Sequence, residues 1–237
     1  MSGPEEEDND VRAPSAKKAI IAQLFSTPVA RIACPYAAEF NGPLVELVLA
    51  RLDPLQKRLG YKSETPDDLA HWGDPVVDSL SQWVLRAARQ FTETITRRSL
   101  ADAFADSAAR MSGGAVNGGA GTGGEGSVAV VVSRSWASVY RKGDRHEAHF
   151  HPNTALTAIY YAEAPGKCEL DLLDPRPNVD YFDPGISLAG SGHRVRLSCS
   201  PGELVLFPGW LKHAVPEFND GSVRISISWN LNYASES

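Results

Sequence analysis

The spacing of apolar residues predicts two helices in the first half of the chain. In the segment 44–60, LVELVLARLDPLQKRLG, the side chains of Leu44, Leu47, Val48 and Leu52 share one face of a helix. We predict that Asn41 caps this helix and that Gly60 ends it. The segment 74–104 has the same period, and its apolar stripe consists of Val76, Val77, Leu80, Trp83, Val84 and Ala87. We expect both helices to serve as packing scaffold.

From residue 127 onward the pattern changes to short runs of β-branched and aromatic residues separated by Gly, Pro and Asp. Many short strands without helices between them predict an antiparallel sandwich or barrel rather than a βαβ fold. A further strand, interrupted by Pro28, is predicted within 19–32. The predicted strands of the second half are 127–140, 155–164, 168–173, 193–200, 203–207 and 223–233.

These patterns divide the chain into four regions. Residues 1–18 are expected to form a disordered acidic tail, and 19–112 a helical support region. The segment 113–127 begins GGAVNGGAGTGGEG and is expected to be a flexible Gly-rich loop, because it lacks the spacing of a phosphate-binding loop. Residues 128–237 form the predicted β-rich core.

Composition limits the possible partners and compartments. The net charge of −6 disfavours nucleic acid or an anionic membrane as the main partner. The three cysteines form no CxxC pair, which disfavours a disulfide framework or a thiolate zinc site and favours free thiols. The start of the chain has neither a signal peptide nor a transit peptide, and no run of 18 apolar residues is present. We therefore expect a soluble cytoplasmic protein.

Histidines dominate the candidate chemistry. In RHEAHFHPNTALTAIYY (145–161), His149 and His151 are two positions apart and should point to the same side of a strand, whereas His146 should point away. Imidazoles suit Fe, Zn, Cu and Ni, and His213 could complete a three-nitrogen site. A histidine pair also occurs on solvent-facing strands, and a lone histidine is more often structural than metal-binding.

The last predicted strand carries a polar face formed by Arg224, Ser226, Ser228 and Asn230. On an exposed strand this face would be unremarkable. Inside the mouth of a barrel it would be a carboxylate-binding site, because an arginine provides a bidentate fork and a serine adds a hydroxyl donor. The strand alone does not distinguish these interpretations.

The order of these features resembles the Fe(II)/2-oxoglutarate-dependent oxygenases, which carry an HxD/E…H iron triad and a later arginine for 2-oxoglutarate. The resemblance is to a poorly characterised branch of that superfamily. It covers about residues 128–233, and only loosely the helical half. Its segments are HFHPN, IYY, LDPRP, PGELVLFPGWLKHAV and RISISWNLN.

The resemblance implies a mainly β fold with N-terminal helices and a double-stranded β-helix core, of the jelly-roll, cupin-like kind. It implies that His149 and His213 bind Fe(II), and that Arg224 binds 2-oxoglutarate with Ser226 beside it. Tyr161 is a further candidate contact to this cosubstrate. O₂ would be the oxidant, and hydroxylation of a small molecule or of a residue on a protein the default reaction.

The sequence departs from the superfamily at His151, where most members have Asp or Glu. His151 could be the third ligand, so that His149, His151 and His213 hold the metal. A carboxylate could instead come from Asp171 or Asp174, although Asp174 precedes a proline and is typical of a turn. In a third interpretation the position is not a ligand and leaves a coordination site for an anion or water.

Two other functions are compatible with these residues. One is a cupin-like three-histidine metalloenzyme that does not use 2-oxoglutarate, which the missing carboxylate favours and Arg224 disfavours. The other is a non-catalytic metal-binding module.

Overall fold

Two antiparallel sheets form the centre of the molecule. The computed structural model describes residues 26–53, 55, 58–111, 127–176 and 193–235. The major sheet has, in spatial order, β1 (Ala30–Ala33), β8 (Glu203–Pro208), β5 (Leu156–Glu163), β10 (Arg224–Ser235), β3 (Val128–Tyr140) and β2 (Ser63–Glu64). The minor sheet has β4 (His146–His149), β9 (His213–Val215), β6 (Glu169–Leu173) and β7 (Arg194–Ser198).

All six strands predicted in the second half are present, as β3, β5, β6, β7, β8 and β10. Their order in the sheets alternates between early and late strands, as in a double-stranded β-helix. The fold is thus mainly β and antiparallel, with helices N-terminal to the core, as the sequence predicted.

Among the described residues, three α-helices precede β3: α1 (Ala37–Ala50), α2 (Pro75–Thr96) and α3 (Leu100–Met111). Both predicted ends of the first helix are wrong. Asn41 lies inside α1 and accepts a hydrogen bond from the Tyr160 hydroxyl (2.6 Å), whereas the carbonyl of Tyr36 receives the first N–H groups of the helix. The helix ends well before Gly60, because Asp53 precedes a proline and such residues disfavour helical backbone.

The second predicted helix is in fact two helices. The Asp74 carboxylate accepts the N–H groups of Val76 (2.9 Å) and Val77 (3.4 Å) and starts α2. Arg97 has a left-handed backbone conformation (φ 55°) that ends α2, and the Ser99 hydroxyl accepts the N–H of Asp102 (3.2 Å) in the first turn of α3. The apolar period continues across this break, so periodicity alone could not reveal it.

The core consists of two apolar clusters, one on each side of the major sheet. The helices cover the outer side, where Leu44, Leu80 and Val84 pack with Tyr160 and Trp229. The inner side faces the minor sheet, where Tyr161, Val205 and Phe207 pack with Leu170 and Leu172. The space between the sheets is open at one end, and the candidate site lies there.

Some sequence predictions fall outside the described residues. The acidic tail 1–18, the part of the predicted first strand up to residue 25, and residues 113–126 of the Gly-rich segment are among them. Along the described ranges, no helix is both long and apolar enough to cross a membrane.

Candidate active site

Three histidines converge at the open end between the sheets. His149 is the last residue of β4 and lies opposite His213 in the ladder with β9, with ring centroids 4.3 Å apart. The Nε2 atom of His151 lies 3.4 Å from Nε2 of His213. One nitrogen from each of the three rings lies within 4.8 Å of the other two, a spacing that allows one metal ion to bind all three.

Backbone carbonyls orient two of these rings. Nδ1 of His149 lies 2.8 Å from the carbonyl oxygen of Glu147, and Nδ1 of His213 lies 3.1 Å from that of Leu211. An imidazole that donates its Nδ1–H to a carbonyl keeps a lone pair on Nε2, and such contacts also fix the orientation of the ring. In the tautomer with Nδ1–H donating to these carbonyls, Nε2 of His149 and of His213 is the atom left to accept a metal.

His151 reaches the cluster in another way than the sequence predicted. It lies beyond the end of β4, so strand alternation does not place it. Its backbone N–H donates to the carbonyl of Gly209 (2.9 Å), and its ring stacks on Trp136 at 5.6 Å between centroids.

Gly209, which directly follows β8, is hydrogen-bonded to the turn after His151. The N–H of Gly209 donates to the carbonyl of Ala155 (3.1 Å), which closes a second link between the two loops. A Cβ atom at position 209 would lie 2.3 Å from the carbonyl oxygen of Thr154, so only glycine permits this approach.

Burial keeps the imidazoles in the uncharged form that binds metals. It lowers the pKa of His213 to about 3 and that of His151 to about 4, and it also lowers the pKa of His149. Repulsion between the neighbouring rings adds to the effect for His151 and His213. At neutral pH the cluster is therefore ready to bind a cation without first losing protons.

The prediction that His146 points away from the cluster is wrong. His146 pairs with Val215 and His149 with His213, so the ladder is irregular between these pairs and simple alternation fails. The His146 ring centroid lies 3.9 Å from that of His149, and burial lowers its pKa to about 2. His146 also lines the pocket that contains the cluster.

Arg224 lies buried in the same pocket. It is 2% exposed, and its Nη1 donates to the carbonyl of Glu169 (2.8 Å). Its guanidinium lies over the rings of Tyr140 and Tyr161, at 4.8 and 5.2 Å. Its Nε has no hydrogen-bond partner among the described residues, which is costly for a buried charged group and indicates a place for an anion.

The polar face of β10 lines this pocket and does not face solvent. Ser226 and Ser228 are both buried and contribute to the wall, so the structure favours the barrel-mouth interpretation of this strand. Tyr161 lies opposite Ser226 in the ladder between β5 and β10. Its hydroxyl is buried and has no hydrogen-bond partner among the described residues.

The two candidate carboxylates lie elsewhere. Asp171 pairs with Ala214 in the minor sheet, whereas Leu172 pairs with His213, so Asp171 points to the other side of the sheet from His213. Its carboxylate accepts Arg196 Nε at 2.6 Å, and this hydrogen bond lowers the pKa of Asp171. Asp174 accepts the N–H of Arg176 at 3.0 Å, the turn geometry that its sequence predicted.

Sequence reasoning missed several residues of the pocket. Trp136, Ser138 and Tyr140 point inward from β3, and alternation along the predicted strand 127–140 could have identified them as one face. Lys62 gave no signal, because β2 has only two residues.

Comparison with known proteins agrees with this fold and pocket. Residues 134–230 match a family model described as "Putative 2OG-Fe(II) oxygenase". This segment runs from β3 to β10 and contains the three histidines, Arg224, Ser226 and Tyr161. No curated protein sequence matches the chain significantly.

The fold is similar to that of solved oxygenase structures at low sequence identity. The non-heme α-ketoglutarate-dependent epimerase SnoN of nogalamycin biosynthesis has a TM-score of 0.52 at 12% identity, covering 88% of this chain and 78% of SnoN. AviO1 from Streptomyces viridochromogenes has a TM-score of 0.50 at 14% identity, covering 88% and 90%. A prolyl-4-hydroxylase from Pseudomonas putida has a TM-score of 0.49 at 15% identity, covering 87% and 94%.

The chain has a double-stranded β-helix fold, and its pocket contains three histidines that could hold a metal ion. Residues 134–230 are thus similar to the 2OG-Fe(II) oxygenase family, and the fold is similar to that of a solved α-ketoglutarate-dependent enzyme. A member of that family would use Fe(II), 2-oxoglutarate and O₂ as metal, cosubstrate and oxidant.

The residues present fit these groups. Three neutral imidazoles form a donor set that suits Fe(II) and leaves coordination positions open. The unpartnered Nε of buried Arg224 fits a carboxylate such as that of 2-oxoglutarate.

Proposed function

We propose that this protein is a Fe(II)- and 2-oxoglutarate-dependent dioxygenase that hydroxylates a small molecule or a residue on a protein, with release of succinate and CO₂. The observation that carries the proposal is the shared pocket. One part presents three converging imidazole nitrogens, and another presents a buried arginine with an unpartnered N–H.

Each residue has a distinct role in this proposal. His149, His151 and His213 would hold Fe(II), and a set of three protein ligands would leave coordination positions for other ligands. Arg224 pairs with the far carboxylate of 2-oxoglutarate, and Ser226 adds a hydroxyl donor beside it. Tyr161 packs against the guanidinium and helps to orient it. The bound metal supplies the coupling of O₂ activation to oxidative decarboxylation of the cosubstrate.

Two aromatic side chains hold the histidine rings in position. Trp136 fixes the His151 ring by stacking, and Phe207 packs edge-on against His213 at 5.0 Å. These aromatic walls keep the rings in place before any ligand arrives, which is the usual contribution of a protein to cofactor chemistry.

A second candidate is a three-histidine metalloenzyme that does not use 2-oxoglutarate. The observation that favours it is that the described residues bring no carboxylate to the three histidines. The buried arginine speaks against it, because without an anionic cosubstrate its unpartnered N–H would have no function.

The test is turnover by protein purified without oxygen and reconstituted with Fe(II). We expect succinate to form only when Fe(II), 2-oxoglutarate and O₂ are all present, and 2-oxoglutarate to be consumed slowly even without substrate. Stoichiometric iron binding without any binding of 2-oxoglutarate would favour the second candidate. Absence of iron binding would contradict the first candidate, and failure to bind any of Fe, Zn, Cu and Ni would contradict both.

The location and the domain division are also proposals. We propose a reducing, cytoplasmic location, which the three buried free cysteines support. We further propose that region 19–112 acts as support for the catalytic core 128–237, since α1 and α2 pack on the outer side of the major sheet.

A further inference from the structure

Lys62 reaches the pocket from outside the segment that matches the family. It directly precedes β2, in which Glu64 lies opposite Ser138 of β3. Alternation puts Lys62 and Glu64 on the same side of the sheet as Ser138, which is the pocket side. The Lys62 ammonium lies 2.5 Å from a Glu64 carboxylate oxygen and 3.4 Å from the Ser138 hydroxyl, and the side chain is only 11% exposed.

The charges around the pocket are unbalanced. Among the described residues that line it, Arg224 and Lys62 are basic and none is acidic. Glu64 offsets Lys62 only in part, because its side chain is 39% exposed and water screens its charge. Burial lowers the pKa of Lys62 in spite of Glu64, which shows that the ammonium lacks full compensation.

The ammonium group also has spare hydrogen-bonding capacity. It carries three N–H donors, and the contacts to Glu64 and Ser138 use two of them. The third is available to a ligand in the pocket. Because the Glu64 contact already holds the side chain in place, a ligand would not have to immobilise it.

We propose that Lys62 binds a second anionic group in the pocket, distinct from the carboxylate at Arg224. This inference rests on the proposed function. The shared chemistry is a carboxylate, which has two possible sources. It is either the second carboxylate of 2-oxoglutarate or an acidic group of the substrate that is oxidised.

The first arm of the test measures 2-oxoglutarate binding by calorimetry, without oxygen, on protein loaded with Fe(II). If the cosubstrate is the source, Lys62→Met weakens 2-oxoglutarate binding by about 10- to 100-fold, the range for a lost hydrogen bond to a charged group. Lys62→Arg restores most of it. Iron affinity and melting temperature should remain those of the unaltered protein.

The second arm uses acetate, with neutral acetamide as the matched probe, on protein saturated with Fe(II) and 2-oxoglutarate. If the substrate is the source, acetate raises the melting temperature of the unaltered protein and of Lys62→Arg, but not of Lys62→Met. Acetamide should have no effect on any of them.

Glu64→Gln is the control that separates ligand binding from a structural ion pair. It removes the partner of Lys62 and leaves the ammonium, so we expect anion binding to become several-fold tighter, opposite in sign to Lys62→Met. If Glu64→Gln weakened anion binding as Lys62→Met does, the pair would be structural and the inference overturned. The inference would also be overturned if neither 2-oxoglutarate binding nor the effect of acetate on the melting temperature depended on Lys62.

The outcome of the Lys62 test can be distinguished from the outcome of the test of the proposed function. Binding of 2-oxoglutarate that depends on Arg224 would support the proposed site whatever Lys62 does. If the unaltered protein bound no 2-oxoglutarate, the proposed function would fail. The acetate arm, run on the Fe(II) protein alone, would still test Lys62.

Discussion

His149 and His213 face each other as direct partners in the β4–β9 ladder, with ring centroids 4.3 Å apart. Backbone hydrogen bonds on either side of a ladder fix the two Cα positions, and a carbonyl contact fixes each ring. These two metal-binding candidates are therefore preorganised by the fold and do not depend on the metal for their arrangement.

The first prediction follows from this arrangement. His149→Ala and His213→Ala should each lose Fe(II) affinity by more than the roughly 10–100-fold that removal of an outer-shell partner costs, because each removes a direct ligand. Circular dichroism should show an intact fold. The exposed His71 is a matched control, and His71→Ala should bind iron normally. Near-normal iron content in either site variant would contradict the assignment.

The second prediction concerns Arg224. Arg224→Met keeps much of the side-chain volume but removes the charge, so 2-oxoglutarate binding should weaken by about 2–5 kcal/mol while iron binding changes little. Titration of the anaerobic Fe(II) protein would measure both. Arg89 of α2, whose side chain is 59% exposed, offers the control Arg89→Met, for which neither quantity should change. An unchanged 2-oxoglutarate affinity in Arg224→Met would make Arg224 a structural residue.

The third prediction distinguishes the possible roles of His151. If His151 is a ligand, His151→Ala should reduce iron affinity about as much as His149→Ala does. If it lies outside the ligand shell, the reduction should be only about 10–100-fold. His151→Asp should bind iron better than His151→Ala, because it restores an anionic ligand, although the shorter side chain limits its reach. His146→Ala should affect iron affinity least. Full iron occupancy and turnover in His151→Ala would show that two histidines suffice.

The fourth prediction concerns stability and pH. Arg196 lowers the pKa of Asp171 below its usual value of 3.8, so the folded state prefers the ionised form. The resulting stability is present above that pKa and is lost as the pH falls through the lower pKa of the folded state.

Asp171→Asn should therefore unfold more easily than the unaltered protein at pH 7, by about 1–3 kcal/mol, and the difference should shrink below pH ~4. Denaturant unfolding at pH 7 and at pH 3 would measure it. Asp67→Asn, at an exposed position, should match the unaltered protein at both values. A difference independent of pH would mean that the Asp171 charge is not what stabilises the minor sheet.

The sequence predicts the strands well because strand alternation is a local property. The polar face of β10, with Arg224 and Ser226, follows directly from the pattern of the residues 223–233. Whether that face points to solvent or into a pocket depends on the minor sheet, which closes over it through long-range pairing. Local sequence contains no information on that closure, so only the family resemblance favoured the pocket.

The errors in the site have physical causes of the same kind. The irregular ladder between His146 and His149 turns His146 toward the cluster, and nothing in the letters RHEAH marks it. Lys62 enters the pocket because a two-residue strand joins the edge of β3, which is too short for a periodic signal. His151 was correctly grouped with His149, although a loop contact and not strand alternation brings it there.

The contact between His151 and Gly209 has a consequence for how this site could change over evolution. The backbone N–H of residue 151, and not its imidazole, makes the link to Gly209, so this link would survive the replacement of histidine by aspartate. Position 209 is confined to glycine by the Thr154 carbonyl. A single nucleotide change between a histidine and an aspartate codon could thus alter the charge of the candidate metal site without breaking this main-chain link.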